Sequence, residues 1–225
     1  MDIASFAATL DATNLKLDAT RDEIRLLCQE ASKAHYASVC VYPGRVSFCA
    51  DLLKNSTVSV CTVIAFPHGC SGFETKSEEI LHAYASGAKE IDLVMDHTAL
   101  RDGDDSLVTD ETVRLCEVAR KAKLTSKVIV ETCYLNKAQK LQALNICEHA
   151  GANFIKTSTG FGSSGATVED VRLFAANRTG SIKIKASGGI RTPNTALKLL
   201  EAGADRLGVS AADNLIEALK AAIKG

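Results

Sequence analysis

Apolar and polar residues alternate along this chain in two repeating modes. Short β-rich apolar runs end near Leu10, Val41, Ile64, Val94, Glu131, Lys156, Lys185 and Val209. Each is followed by a stretch with helical spacing, at about 20–34, 43–54, 75–86, 109–123, 136–149, 167–177, 192–202 and 210–223. Thr20-Arg21-Asp22-Glu23 and Thr75-Lys76-Ser77-Glu78 fit a capping box, and Thr192-Pro193 puts proline at a first helical position. Strands that alternate with helices imply a parallel sheet, and eight such units predict an α/β fold of the closed (β/α)8 kind, the TIM barrel. No linker or low-complexity stretch interrupts the pattern, so one domain over 1–225 is expected.

An internal repeat sharpens this. Ala85-Ser86-Gly87-Ala88-Lys89-Glu90-Ile91-Asp92, His149-Ala150-Gly151-Ala152-Asn153-Phe154-Ile155-Lys156 and Glu201-Ala202-Gly203-Ala204-Asp205-Arg206-Leu207-Gly208 share one design: helix end, glycine stop, turn, strand. His35-Tyr36-Ala37-Ser38-Val39-Cys40 is a weaker copy. Aligned on the glycine, these place Cys40, Asp92, Lys156 and Gly208 at one level of strands 2, 4, 6 and 8. Alternate strands of a barrel build one interior layer, so Asp92 and Lys156 are expected to face each other inside the mouth.

Composition narrows the picture further. At 225 residues, 46% of them hydrophobic, the chain can fill one barrel, and with aromatics at 5% the core must be Ala, Val, Ile and Leu. A net charge of -1 gives no pull toward nucleic acid or an anionic membrane. No apolar run approaches a membrane span, and the N-terminus lacks a signal peptide's basic start, so a cytoplasmic location is expected. The eight cysteines form no C-x-x-C pair and read as small core hydrophobes in a reducing compartment. The five histidines show no metal-ligand spacing on one element, so no metal is expected.

The chemistry concentrates on lysines. Phe154-Ile155-Lys156-Thr157-Ser158-Thr159-Gly160 and Ile182-Lys183-Ile184-Lys185-Ala186-Ser187-Gly188-Gly189 each run from an apolar stretch into lysine, small hydroxyl residues and glycine. Taken in isolation, Lys156 reads as a solvated lysine past a strand end. The repeat instead turns it inward beside Asp92, and buried lysines are rare unless paired or functional. Burial and a neighbouring ammonium both favour a free amine, the form that attacks a carbonyl. Lys185 shares a strand face with Lys183, which lies nearer solvent. Asp92 is either half of a structural ion pair or a proton shuttle near an imine. Asp11, at the end of the first strand, can join that network. Thr159-Gly160, Gly188-Gly189 and Gly208-Val209-Ser210 follow strands 6, 7 and 8, where barrels often bind phosphate.

Together with Leu10-Asp11-Ala12-Thr13-Asn14-Leu15-Lys16, Val39-Cys40-Val41-Tyr42-Pro43, Ala65-Phe66-Pro67-His68-Gly69, Glu90-Ile91-Asp92-Leu93-Val94 and Val130-Glu131-Thr132-Cys133, these segments resemble the deoxyribose-phosphate aldolase family over nearly the whole chain. The resemblance implies a class I aldolase that cleaves 2-deoxy-D-ribose 5-phosphate to glyceraldehyde 3-phosphate and acetaldehyde without a cofactor. It implies Lys156 as the imine-forming residue, Lys185 as the lysine that tunes it and Asp92 as proton donor and acceptor, with Asp11 beside them. It implies substrate and phosphate contacts at Thr13, Gly160, Gly188, Gly189, Gly208 and Ser210. A phosphosugar is the expected partner, and a homodimer or homotetramer the expected assembly. Ala12, Asp96-His97-Thr98 and Ala211 depart from the family's usual residues, the last two with an expected effect on phosphate binding. The alternatives are another imine-forming barrel aldolase and a non-catalytic phosphosugar-binding barrel.

Overall fold

The computed structural model describes residues 2–224; Met1 and Gly225, the ends of the expected 1–225 domain, lie outside the described residues. Parallel strands β1 (Leu10–Asn14), β2 (Ser38–Val41), β3 (Ser59–Ile64), β4 (Glu90–Val94), β5 (Thr125–Ile129), β6 (Phe154–Lys156), β7 (Lys183–Ser187) and β8 (Arg206–Val209) close into a barrel in sequence order, β8 pairing back onto β1. The helices around them are α1 (Ile3–Ala7), α2 (Arg21–Ala34), α3 (Val46–Leu53), α4 (Phe73–Ala85), α5 (His97–Asp102), α6 (Asp105–Lys121), α7 (Lys137–His149), α8 (Val168–Asn177), α9 (Pro193–Glu201) and α10 (Ala212–Lys224). The strands are buried on both faces, which is why they read as near-continuous apolar runs. Among the described residues, no helix is long and apolar enough to cross a membrane.

Local rules explain most boundaries. Thr20 and Glu23 form the expected capping box on α2, and Asn136 with Gln139 forms another on α7. Such a cap stabilises a helix by roughly 0.5–2 kcal/mol. Pro193 opens α9 behind Thr192, as expected. The Thr75 box does not form. α4 starts two residues earlier, capped by Gly72, because Phe73 anchors its first turn under the Arg114 guanidinium, 3.7 Å from the ring centre. The helix expected at 109–123 starts at Asp105 and is preceded by α5, whose N-cap is Asp96 and whose stop is Gly103 in the left-handed region. Asp96 is thereby committed to the Thr98 and Ala99 N–H groups.

Three strand ends also differ from expectation. β1 begins at Leu10 instead of ending there, because Asp11-Ala12-Thr13-Asn14 pairs with β2 and its first half also with β8. Asp11 is therefore inside the strand. β5 stops at Ile129, since Glu131 turns into the left-handed region (φ 51°). β7 continues to Ser187 through its ladder with β8.

Candidate active site

The barrel interior holds charge where a barrel normally holds aliphatic side chains. Asp92 of β4 is fully buried. Its Oδ2 accepts from Lys156 Nζ of β6 at 2.6 Å and from Lys185 Nζ of β7 at 2.7 Å. Its Oδ1 accepts from Lys127 Nζ of β5 at 2.9 Å. Asp11 of β1 lies 2.6 Å from Lys185 and is bound by the Arg206 guanidinium, whose Nε donates at 2.8 Å. Glu90 completes the cluster, 2.8 Å from Lys127 and 3.0 Å from Arg206. The repeat-derived alignment holds: Asp92 and Lys156 meet, Cys40 Sγ lies 3.8 Å from Asp92, and Gly208 faces the same interior. A Cβ on Gly208 would come within 3.2 Å of Lys185 Cε and 2.9 Å of Ser187 Cβ, so glycine there gives Lys185 its path across β8.

Four cations (Lys127, Lys156, Lys185 and Arg206) thus face three carboxylates (Asp11, Glu90 and Asp92). Burial alone would push the Asp92 carboxyl up, but the ammoniums of Lys127, Lys156 and Lys185 outweigh it and hold it well below the usual carboxylate range. Asp11 is likewise lowered against its own burial, by Lys185, Lys127 and Arg206. Burial favours neutral Lys127 and Lys185, yet their carboxylate partners raise both. Lys156 has the fewest anionic partners, one oxygen that it shares with Lys185.

Lys127, Glu90 and Arg206 escaped the sequence reading. Lys127 carried the signal that exposed Asp92, a charge in the middle of an apolar strand. The cysteine reading needs a partial correction: Cys70 is exposed and Cys133 half-buried, while Cys28, Cys40, Cys49, Cys61, Cys116 and Cys147 are buried core residues. Of these, Cys40 and Cys61 also border the charged interior, Cys61 Sγ lying 3.3 Å from Asp92 Oδ1 and 3.1 Å from Lys127 Nζ. Cys40, Cys61 and Asp92 bring three metal-ligand atoms within 4.8 Å of one another, but the ammoniums already on Asp92 oppose a dication there.

Above this cluster opens a pocket of about 530 Å³ at the C-terminal ends of the strands. Lys156 lines it, while the buried Lys127, Lys185, Asp92 and Asp11 lie beneath. Every expected substrate contact meets here: Thr13, Gly160, Gly188, Gly189, Gly208 and Ser210. Gly160, Gly188 and Gly189 all have positive φ, which turns the backbone at the pocket wall. Arg191 and Lys16 add cationic side chains that the sequence reading did not include. On another side of the mouth, the Phe161 ring meets Phe66 edge-on at 5.3 Å, and Phe66 meets Tyr42 at 6.2 Å. Of the departures, Asp96 and His97 are spent on the start of α5, outside the pocket wall.

A closed (β/α)8 barrel with its pocket at the strand C-termini, floored by a lysine–carboxylate cluster, has the architecture of a barrel enzyme. Residues 6–215 match the DeoC/LacD family of aldolases, and the chain belongs to that family. It is 41% identical over 220 residues to the deoxyribose-phosphate aldolase of Aciduliprofundum boonei, spanning 98% of this chain and 99% of that one. It is 45% identical over 215 residues to deoxyribose-phosphate aldolase 1 of Bacillus licheniformis, spanning 96% of each. The tetrameric deoxyribose phosphate aldolase of Aeropyrum pernix superimposes with a TM-score of 0.91 at 28% identity, covering 98% of this chain and 93% of that one.

Proposed function

We propose that this single barrel is a class I aldolase that reversibly cleaves 2-deoxy-D-ribose 5-phosphate to D-glyceraldehyde 3-phosphate and acetaldehyde. The observation that carries the reading is that Lys156, alone among the three lysines on Asp92, lines the pocket. Its free amine attacks the C1 aldehyde, and loss of water gives a protonated imine. That cation draws electrons from the C2–C3 bond as the C3 hydroxyl gives up its proton. Glyceraldehyde 3-phosphate leaves, an enamine remains on Lys156, and protonation at C2 followed by hydrolysis releases acetaldehyde.

Asp92, within 2.6 Å of Lys156, takes the role of proton acceptor of the pair; Lys185, which bridges Asp92 and Asp11, returns protons through it or through water. The phosphate is read by the glycine loops after β6, β7 and β8, with Ser210 and Arg191 at the rim. Homo-oligomeric assembly belongs to this reading, supported by the tetrameric Aeropyrum pernix relative. The eight free thiols support a reducing, cytoplasmic setting.

The direct test is borohydride reduction in the presence of acetaldehyde, followed by peptide mapping. An adduct on Lys156 is expected; one on Lys185 or Lys183 overturns the assignment. Lys185→Leu tests the electrostatics. It removes a positive charge that shares an oxygen with Lys156 and leaves Asp92 to stabilise the Lys156 ammonium. The acid limb of the pH–rate profile is expected to move to higher pH, and the neutral-pH rate to fall on the order of 10²-fold. An unmoved limb would show that Lys185 does not act on Lys156.

The phosphate loops give a second contrast. A Cβ on Gly189 would meet nothing within 4 Å, so a valine side chain there stands in the open pocket, at a backbone φ of 75° that strains it. Gly189→Val is expected to lower kcat/KM on deoxyribose 5-phosphate on the order of 10²-fold, and far less on unphosphorylated deoxyribose. Equal losses on both, with the circular dichroism spectrum unchanged, would remove this loop from the phosphate site.

A further inference from the structure

Among the sequence motifs that the proposed chemistry leaves without a task is Val130-Glu131-Thr132-Cys133. Glu131 sits in the left-handed region, at φ 51° and ψ 65°, where a side chain with a Cβ is disfavoured. It is 2% exposed, and no cation pairs with it among the described residues. Burial and backbone strain are both costs, so its surroundings must return something for them.

What they hold is the loop after β6. Both oxygens of Glu131 accept from the Thr159 N–H, each at 3.2 Å, and the Thr159 hydroxyl donates to Oε2. That hydroxyl in turn accepts from the Phe161 N–H at 3.0 Å. The carboxyl also sits against Gly162, where an added Cβ would come 3.1 Å from Oε1 and 2.8 Å from Cys133 Sγ. The backbone beneath is tied as well, with Thr132 N–H donating to Thr157 O at 2.9 Å. One side chain therefore holds Thr159 directly and Phe161 through the Thr159 hydroxyl, and packs against Gly162. Gly160, between them, is left exposed on the pocket wall at φ 90°.

We propose that Glu131 is the positioning residue of the phosphate subsite: through Thr159 it sets the conformation in which Gly160 meets the substrate's phosphate. Glu131 does not line the pocket and makes no hydrogen bond to Lys156; it acts on the loop that lines the pocket. The assignment rests on the reading of this pocket as a phosphosugar site. It explains why a strained, buried acid is spent here. A loop that had to order itself around each phosphate would lose binding energy to its own entropy, and a pre-set loop does not.

The experiment compares kcat and KM for Glu131→Ala, Glu131→Gln and Thr159→Val on deoxyribose 5-phosphate and on deoxyribose, alongside acetaldehyde trapping on Lys156. Glu131→Ala is expected to raise KM for the phosphorylated substrate about 30-fold or more, the scale of one charge-assisted hydrogen bond. It should change kinetics on deoxyribose by less than about threefold, and trapping on Lys156 should persist. Glu131→Gln keeps an oxygen for the Thr159 N–H and should recover most of the loss. Thr159→Val cuts only the hydroxyl link and should move KM in the same direction, which keeps the test alive if Glu131→Ala does not fold. Equal losses on both substrates, or a glutamine variant as impaired as alanine, would overturn the positioning role. A wild-type enzyme that does not distinguish the two substrates would instead overturn the phosphosugar reading, and the role of Glu131 with it.

Discussion

Replacing Lys156 by alanine is expected to remove turnover, by on the order of 10⁴-fold or more, the scale of losing a covalent catalyst, without weakening the fold. The second half of that expectation is the less ordinary one. A buried lysine that is only structural leaves unpaired carboxylates behind when it goes, at a cost of about 3–5 kcal/mol. Here the cluster carries four cations against three carboxylates, and Asp92 keeps Lys127 and Lys185 after Lys156 is gone. The melting temperature of Lys156→Ala is therefore expected to match or exceed the wild type, as at a site where stability is spent on activity. Calorimetry alongside the deoxyribose 5-phosphate assay checks both halves. A melting temperature several degrees lower would make Lys156 a stabilising member of the cluster.

Asp92→Asn is expected to do the opposite to stability while also abolishing activity. It leaves the four cations facing only Asp11 and Glu90, with Lys127 and Lys185 fully buried. Breaking a buried pair costs about 3–5 kcal/mol. For a chain of this size that is a fall in melting temperature of roughly 6–20 °C. The pH dependence should change too. The folded-state values of Asp11 and Asp92 are depressed, so their contribution is present above the unfolded value of about 3.9 and is lost as pH falls through the folded values. Without Asp92, stability should fall less steeply as pH drops below about 3.9 toward the folded values. A variant as stable as wild type, with the same acid slope, would mean that Asp92 does not anchor the cluster.

Much of this was legible before any coordinates. The repeated helix stop, a glycine in three of its four copies, set the phase of four strands at once, so Asp92 and Lys156 could be set face to face from spacing alone. The loops after β6, β7 and β8 could be placed on one wall because a closed parallel barrel leaves them nowhere else. What stayed hidden depended on partners far away in sequence. Lys127 looks like any strand lysine until Asp92, 35 residues earlier, is seen to receive it. Arg206 needs Asp11, 195 residues away, to become an interior group. Glu131 read as the end of an apolar run, since nothing in a one-dimensional pattern announces a left-handed backbone. β1 was misplaced for a related reason: Asp-Ala-Thr-Asn has turn composition, and only the ladders on its two sides make it a strand.

The barrel also divides its charges unevenly along the chain. All three carboxylates of the interior, Asp11, Glu90 and Asp92, come from β1 and β4, in the first half of the barrel; all four cations come from β5, β6, β7 and β8, in the second. Each half alone would have to bury like charges with no counterion. A nascent chain that has made only its first four strands therefore carries an acidic interior that must stay wet. The interior can dry only when the cationic half arrives, so sealing of the barrel and assembly of its reactive centre become one cooperative event.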